Sequence, residues 1–441
     1  MKKRTSFFVL FVGIAVLTAV PLFANGQSES KSATAASGPV NIRIWDIQTQ
    51  EDQQMIETAT QQFNQAHPNI QAKVEWFQND TYKDKIRIAL GAGNGPDILY
   101  NWGGGPLRSY VAANTVVDLT PYLNADPTWK NRFPASVWGP ATVDGKIYGI
   151  PTQGSDAELL FYNKDMLKKY NLPVPTTWNE LVQDAGTLVQ NNVIPIALAG
   201  KSGWPEMIWV QYLTDRIGGP QVFNDIAAGK KDAWSNPAVI KALELCQQLV
   251  KANAFEPGYA GVEVDTNQDV ALVASGKAAF LAQGDWAYST FKNSFGEFFN
   301  AGKLGYTAIP AVDPQYANEV VGAPANYYSV AATSKNVKAD IQYLSEVNLN
   351  DFEVSTMLNK LGRVPPVNGI ESQLKSLKDG AFESWLYNTI AKAGDVQLYW
   401  DQYLSPTQAK IMLTNMSNVF LMQETPQDFA KAMNAAMSSN Q

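Results

Sequence analysis

The N-terminal third of the chain alternates between two hydrophobic periods, and this rhythm constrains the fold more than any other feature. Apolar residues recur at every second position in 40–47 and again in 70–77, which predicts two β-strands. Residues 50–66 have the spacing of an amphipathic helix, and residues 97–100 form a short apolar run typical of a buried strand. The repeated strand-helix-strand order predicts an α/β fold with a mostly parallel sheet.

A second α/β segment begins after the turn at residues 144–151. Its predicted strands are 159–163, 278–282, 304–309 and 327–332, and its predicted helices are 164–170, 179–190, 205–217, 236–252 and 266–276. Thr177 is placed to cap one of these helices, and the chain from residue 372 onward is mainly helical. Two α/β halves in a chain of 441 residues predict at least two domains.

The N-terminus has the layout of a cleavable secretory signal. Lys2, Lys3 and Arg4 precede an apolar run at 7–20, and Ala24 offers a small residue for cleavage. We therefore expect a signal peptide at 1–24 and a flexible Ser/Ala/Gly/Gln-rich tether at 25–39. The single cysteine, Cys246, lies far from this region, so a lipid-anchored protein is not expected.

The composition excludes several classes of function. A formal net charge of -7 disfavours nucleic acid as a partner, because phosphate binding needs clustered Lys and Arg. With one cysteine the chain cannot form an internal disulfide. Its single histidine excludes a multi-histidine metal site and disfavours a histidine-based catalytic triad. The run 265–269 begins like a calcium loop, but Val270 replaces the required glycine. We expect no cofactor and no metal.

Short runs spread over nearly the whole chain after residue 40 carry a family resemblance. They are Phe63-Asn64 with His67-Pro68-Asn69-Ile70, Gly95-Pro96-Asp97-Ile98, Val117-Asp118-Leu119-Thr120-Pro121-Tyr122-Leu123, Asp144-Gly145-Lys146-Ile147-Tyr148-Gly149-Ile150-Pro151, Phe161-Tyr162-Asn163-Lys164-Asp165, Pro175-Thr176-Thr177-Trp178-Asn179-Glu180, Gly276-Lys277-Ala278-Ala279-Phe280 and Gly284-Asp285-Trp286. In this order they resemble the family 1 extracellular solute-binding proteins of ABC sugar importers.

The resemblance implies an α/β, two-lobed periplasmic-binding-protein fold. Each lobe is expected to be a mostly parallel sheet flanked by helices, and hinge segments cross between the lobes. Mapped onto this chain, the N-lobe is 40–152 plus 325–362, the C-lobe is 153–324 plus 363–441, and the crossings fall near 151–155, 322–325 and 363–366.

The same resemblance implies a non-enzymatic protein of the periplasm. It is expected to capture a monosaccharide or oligosaccharide between its lobes and to deliver it to the transmembrane permease subunits of an ABC importer. We expect it to act as a monomer.

Candidate ligand contacts follow from the ends of the predicted strands. In open α/β sheets the ligand crevice lies outside the carboxyl ends of the strands. Trp45, Asp46 and Gln48 end the first strand, and Asn101 and Trp102 end the strand at 97–100. The alternative to a ligand contact for Trp45 is burial in the core. Flanking glycines are expected to leave Trp102 accessible.

The crossings and the C-lobe supply the remaining candidates. They are Gln153, Asp156, Trp204, Asp285, Trp286, Asn326, Tyr327 and Arg363. Tryptophan faces stack on the C–H patches of sugars, and the polar side chains pair with hydroxyls. The alternatives are a helix-cap or turn role for Asp156, a capping role for Asp285, core packing for Trp286 and a surface or interlobe salt bridge for Arg363.

Two other functions remain open from the sequence. A secreted glycoside hydrolase would also use aromatic platforms and paired carboxylates. A binding protein for a non-sugar solute, such as a polyamine or an amino acid, would favour carboxylate cages over tryptophan walls.

Overall fold

Most of the chain is described by a computed structural model, which covers residues 38–48, 50–154, 156–378 and 380–438. The predicted signal peptide at 1–24, and the predicted tether up to residue 37, lie outside the described residues. Within the described ranges, no helix combines the length and the apolar character that crossing a bilayer requires.

Strands and helices alternate along the described chain. The strands are β1 (Val40–Asp46), β2 (Ile70–Trp76), β3 (Ile98–Asn101), β4 (Thr142–Val143), β5 (Lys146–Ile147), β6 (Ile150–Thr152), β7 (Asp156–Asn163), β8 (Ile194–Ala197), β9 (Ala278–Gly284), β10 (Leu304–Thr307), β11 (Val320–Ala323), β12 (Asn326–Val330) and β13 (Val396–Gln397). The helices are α1 (Gln50–Ala66), α2 (Asn79–Gly91), α3 (Gly104–Ala112), α4 (Thr120–Ala125), α5 (Pro127–Asn131), α6 (Trp138–Ala141), α7 (Lys164–Lys169), α8 (Trp178–Gln190), α9 (Trp204–Gly218), α10 (Gln221–Ala227), α11 (Pro237–Lys251), α12 (Gln268–Ala274), α13 (Trp286–Ser294), α14 (Gly296–Asn300), α15 (Val337–Glu346), α16 (Asp351–Thr356), α17 (Glu371–Ser376), α18 (Ala381–Ala391), α19 (Trp400–Tyr403), α20 (Pro406–Phe420) and α21 (Pro426–Ser438).

The first sheet has the strand order β2-β1-β3-β12-β6. β1 pairs in parallel with β2 and β3, as the sequence rhythm predicts, whereas β12 is antiparallel to both β3 and β6. Ile42 and Ile44 of β1 are buried, and helix α1 packs Met55, Ile56 and Phe63 into the same core. This amphipathic helix therefore covers one face of the sheet.

The second sheet has the order β13-β11-β7-β9-β8, with β10 also paired to β7. β7 lies antiparallel to β9, β10 and β11, and the parallel pairs are β8 with β9 and β11 with β13. A core that contains the fully buried Trp209, Trp234 and Trp400 packs beside this sheet. Thr177 caps α8 in a reciprocal capping box with Glu180, so its predicted role is confirmed.

Both sheets mix parallel and antiparallel neighbours, which corrects the expectation of mostly parallel sheets. The chain passes from β6 of the first sheet into β7 of the second, and from β11 of the second sheet into β12 of the first. Parallel neighbours arise when a long crossover returns the chain to the same sheet. A strand that arrives directly from the other sheet is free of that constraint.

The β6–β7 crossing lies beside the chain near residue 363. A Cβ atom added to Gly154 would lie 3.1 Å from the carbonyl oxygen of Val364 and 3.4 Å from Nε of Arg363. The crossing and this later segment thus pack against each other between the two sheets. The lobe boundaries assigned from the sequence remain a prediction.

Candidate functional site

A cavity of about 550 Å³ lies between the two sheets. Gln48 follows β1, Phe77 follows β2 and Trp102 follows β3, and all three line it. From the second sheet Trp286 enters just after β9, and Gln153 lies in the crossing before β7. The cavity therefore lies where several strands end, as expected for a ligand crevice in an α/β sheet.

The structure brings a majority of the predicted site residues together at this cavity. Those that line it are Gln48, Trp102, Gln153, Asp156, Trp204, Trp286, Asn326 and Arg363. They are far apart in the chain, and the two sheets bring them to one place. Their role in ligand binding remains a proposal.

Trp102 reaches the cavity but is only 7% exposed, which corrects the expectation that flanking glycines leave it accessible. Its ring packs edge-on against Tyr100, with centroids 5.3 Å apart. Nζ of Lys83 lies 5.3 Å from the centroid of the Trp102 ring. Trp286, by contrast, is half-buried. A ligand can therefore reach more of Trp286 than of Trp102.

Trp45 and Asp46 do not line the cavity, and their contacts assign them structural roles instead. Nε1 of Trp45 donates to Glu75 at 3.0 Å, and the ring is buried. Asp46 accepts hydrogen bonds from the hydroxyl of Tyr328 and from Nε2 of Gln48, the latter at 3.0 Å. Burial raises the pKa of Asp46 to about 6, although the hydrogen bonds oppose this shift. Asp46 thus orients Gln48, which does reach the cavity.

Asn101 and Tyr327 also lie outside the cavity lining. Nδ2 of Asn101 donates to Ser329 at 2.8 Å, and its Oδ1 accepts from the backbone N–H of Gly103 at 2.9 Å, which shapes the turn into α3. The hydroxyl of the fully buried Tyr327 donates to the carbonyl oxygen of Val137 at 2.6 Å. These contacts hold both side chains in place and anchor β3 and β12.

Asp285 is buried behind the cavity and makes no side-chain cap to α13. Burial raises its pKa well above the ordinary range, and the nearby Arg363 opposes that shift. Its carboxylate has no hydrogen-bond partner among the described residues. Asp285 therefore does not line the cavity, although its electrostatic environment includes Arg363.

Aromatic side chains from strands, helices and loops line the cavity. They are Trp76, Phe77, Tyr100, Trp102, Trp204, Trp286 and Tyr399. Trp204 and Trp286 form one corner, with ring centroids 6.0 Å apart and planes inclined at 61°. Two tilted rings of this kind present flat apolar faces to a ligand in different directions.

Trp76 and Phe77 also line the cavity but are not among the residues predicted from the sequence, although the sequence carries a signal for them. They end β2, and the rule that strand ends face the crevice applies to β2 as it does to β1 and β3. Nε1 of Trp76 donates to Glu57 at 2.8 Å, which fixes the orientation of its ring.

Several polar atoms at the cavity have no hydrogen-bond partner among the described residues. They are Oε1 of Gln153, Nε1 of Trp204, Oδ1 of Asn326, Nε of Arg363 and Oε1 of Gln402. Leaving a buried polar group unpaired costs about 1–3 kcal/mol. A ligand rich in hydroxyl groups would satisfy both the donors and the acceptors.

Arg363 links carboxylates from different parts of the fold. Its Nη1 lies 3.3 Å from Asp52 of α1, and its Nη2 lies 3.4 Å from Asp156 at the start of β7. Asp156 also accepts from Nδ2 of Asn326. Burial raises the pKa of Asp156 to about 6, although Arg363 and Asn326 pull it down. The predicted alternative of a surface or interlobe salt bridge for Arg363 is thus met as a salt bridge, but a buried one and not one at the surface.

Carboxylates also gather at one edge of the cavity. Asp80, Glu263 and Asp265 place oxygen atoms within 4.8 Å of one another, and Asp265 lines the cavity. Lys201 pairs with Glu263 and offsets part of this charge. Burial raises the pKa of Asp265, and the carboxylate of Asp80 adds to that shift.

Known proteins share this fold and part of this sequence. A solved structure from work on xylan utilization by the thermophilic bacterium Caldanaerobius polysaccharolyticus superposes with a TM-score of 0.82 at 27% identity, and covers 90% of this chain and 100% of that chain. The glucose-binding protein GlcS of Saccharolobus solfataricus is 30% identical over 222 residues, which are 48% of this chain and 39% of that protein. The multiple sugar-binding protein of Streptococcus mutans is 25% identical over 339 residues, 74% of this chain and 75% of that protein.

The matched regions do not always span the relatives fully. In three of the curated relatives the match covers 66%, 39% and 51% of that protein's length. The structural match nevertheless confirms the predicted fold class, an α/β protein with two lobes. The profile of bacterial extracellular solute-binding proteins matches residues 46–347. The chain belongs to the family of bacterial extracellular solute-binding proteins.

Proposed function

We propose that this protein is the solute-binding component of an ABC importer and captures a monosaccharide or oligosaccharide in the cavity between its lobes. The observation that carries the proposal is the aromatic corner of Trp204 and Trp286 beside unpaired polar atoms of Gln153 and Asn326. Aromatic faces and mixed donors and acceptors complement the two kinds of surface that a sugar presents. The names of the relatives, which include glucose-binding and multiple sugar-binding proteins, support the same class of ligand.

Closure of the lobes on the sugar would then present a recognisable form to the permease subunits. Lys83 of α2 and Asp401 of α19 pair at 3.3 Å, and both line the cavity. We expect contacts of this kind to form when the lobes are closed. A ligand that touches both walls of the cavity then shifts the population towards the closed form. We place the mature protein in the periplasm as a monomer, after removal of the signal peptide.

A thermal-shift screen over neutral monosaccharides, disaccharides and longer oligosaccharides tests this function. A ligand that binds only the folded protein raises its Tm. At a free concentration of 100 times its Kd, such a ligand adds about 2.7 kcal/mol to the free energy of unfolding. We expect at least one sugar to raise the Tm. A response to polyamines or amino acids alone would contradict the carbohydrate assignment.

We further propose that the protein binds sugars without cleaving them. Incubation with the oligosaccharides that raise the Tm, followed by a reducing-end assay, tests this directly. Constant reducing ends are expected, and sustained release of new ends would identify a glycoside hydrolase instead.

A further inference from the structure

The positive charges at the cavity are already balanced. Among the described residues that line the cavity, the cationic side chains are Lys83 and Arg363. Lys83 pairs with Asp401 at 3.3 Å, and Arg363 pairs with Asp52 at 3.3 Å and with Asp156 at 3.4 Å. Each cation is therefore already balanced by at least one protein carboxylate, although Nε of Arg363 has no hydrogen-bond partner among the described residues.

Further carboxylates face the same space. Glu51, Asp265 and Asp269 line the cavity, and the hydrogen bonds they accept come from a neutral hydroxyl, a backbone N–H and a side-chain amide. Asp269 is buried and accepts from Nε2 of Gln283 at 3.0 Å, without a cationic partner among the described residues. The cavity wall therefore carries an excess of negative charge.

Among the unpaired polar atoms of the described lining residues, acceptors outnumber donors, because three carbonyl oxygens stand against Nε1 of Trp204 and Nε of Arg363. Gln153 and Asn326 line the cavity and are 3% and 4% exposed, and the side-chain carbonyl oxygen of each is buried without a hydrogen-bond partner among the described residues, as is that of Gln402. Carbonyl oxygens accept hydrogen bonds and cannot donate them. A hydroxyl group can donate to them, whereas an ionised carboxylate can only accept.

We propose that the cavity selects its sugar by charge, so that neutral sugars bind and sugars carrying a carboxylate are rejected. The proposal rests on the proposed function of this cavity as a sugar site. A ligand carboxylate would lose its hydration and meet like charges and acceptor oxygens, and each cation that lines the cavity already has a carboxylate partner. Placing like charges side by side costs several kcal/mol, so we expect uronates to bind about 100-fold or more weakly than their neutral counterparts.

Matched sugars test this selectivity. The probes are glucose, galactose and their 1,4-linked disaccharides, each as the neutral sugar, the uronic acid and the methyl ester of that acid, with Kd measured by calorimetry at pH 7.5. The ester has the bulk of the acid without its charge. We expect the neutral sugar and the ester to bind and the acid to bind about 100-fold or more weakly.

A variant separates local charge from overall charge. Asp265→Asn removes one carboxylate at the cavity and should reduce the preference for the neutral sugar about fivefold. Asp165→Asn makes the same chemical change at a side chain that is 61% exposed, near the opposite end of β7 from Asp156. This control should leave the preference unchanged.

The outcomes separate this proposal from the proposed function. An acid that binds as tightly as its neutral counterpart overturns the charge selectivity and leaves the sugar site standing. An ester that is rejected along with the acid shows that size is the cause, and also overturns it. If no member of the matched sets binds, the selectivity proposal is overturned, and if the wider screen of neutral sugars also gives no response, the proposed function falls with it.

Discussion

Nη2 of Arg363 lies 3.4 Å from Oδ1 of Asp156, a residue 207 positions earlier in the chain. Both side chains are almost completely buried, and Asp52 holds the other end of the guanidinium group at 3.3 Å. The pair therefore connects the β6–β7 crossing to helix α1 at the cavity. Its burial makes it sensitive to the loss of either partner.

Replacing Arg363 with Met should lower the free energy of unfolding by about 3–5 kcal/mol, because buried carboxylates would lose their counter-charge. Urea unfolding at pH 7.5 measures this loss. Arg87→Met is the matched control, since Arg87 and its partner Asp84 are 56% and 72% exposed. Arg87→Met should lower the free energy of unfolding by about 1 kcal/mol or less. Equal losses in the two variants would contradict the role assigned to Arg363.

Gly105→Ala tests the contact between α3 and the segment at α19. A Cβ atom at Gly105 would overlap the carbonyl oxygen of Leu404, although Gly105 itself has no positive φ. Overpacking of this kind costs about 1–3 kcal/mol, and forcing the two segments apart should also weaken ligand binding. Urea unfolding and calorimetry with a sugar that raises the Tm report the two effects.

Gly139→Ala is the control for this substitution, because a Cβ atom there meets nothing within 4 Å. It should leave both stability and affinity close to those of the unchanged protein. If Gly105→Ala behaves like this control, α3 and α19 do not depend on close contact.

Trp286→Ala should weaken sugar binding by about 10-fold to 100-fold, because a stacked aromatic side chain contributes about 1–3 kcal/mol through its area and ring geometry. Trp385→Ala is the control. Trp385 is also half-buried, but it packs on Tyr306 at 5.1 Å and does not line the cavity. Unchanged affinity in Trp286→Ala, measured by calorimetry, would remove Trp286 from the binding site.

Buried acids should make the protein less stable as the pH rises. Burial raises the pKa of Asp215 to about 7, and burial raises the pKa values of Glu206, Glu256 and Asp340 to about 7 as well. Between about pH 4 and pH 7 the folded protein keeps protons that the unfolded chain releases. The free energy of unfolding therefore falls with rising pH in this window, by at most ~1.4 kcal/mol per pH unit for each such group.

Asp215→Asn isolates one of these groups. Both carboxylate oxygens of Asp215 are buried without a hydrogen-bond partner among the described residues. The substitution should flatten the fall in stability between pH 5 and pH 7 and raise the stability at pH 8 relative to the unchanged protein. Urea unfolding across this pH range measures both effects, and an unaltered slope would mean that Asp215 does not hold a proton in the folded state.

The strand-helix rhythm predicted the parallel part of the first sheet, because strands joined through an intervening helix pair in parallel when the chain returns to the same sheet. It could not predict that β12 joins β3 in antiparallel orientation, since this pairing brings Tyr327 opposite Asn101 from far along the chain. Direct passage of β6 into β7 and of β11 into β12 is likewise a tertiary feature. Local patterns do not record which sheet a strand enters.

At the candidate site, the strand-end rule identified Gln48 and Trp102 correctly as lining residues but also selected Trp45 and Asp46. Successive side chains of a strand point to opposite faces, and the sequence does not say which face meets the cavity. The glycines after Trp102 could not be interpreted from the sequence either. Because these glycines have no side chains, the segment at Leu404, about 300 positions later, packs closely against them. This packing covers the region beside Trp102 instead of leaving Trp102 exposed.

A crystal structure of the protein with the sugar that raises its Tm most is the most direct test of carbohydrate capture between the lobes. We expect sugar rings to lie within about 4.5 Å of the Trp204 and Trp286 side chains. We also expect hydroxyl groups to pair with the unpaired oxygens of Gln153 and Asn326. A sugar bound outside this cavity, or a cavity that stays empty at saturating sugar, would contradict the proposed function.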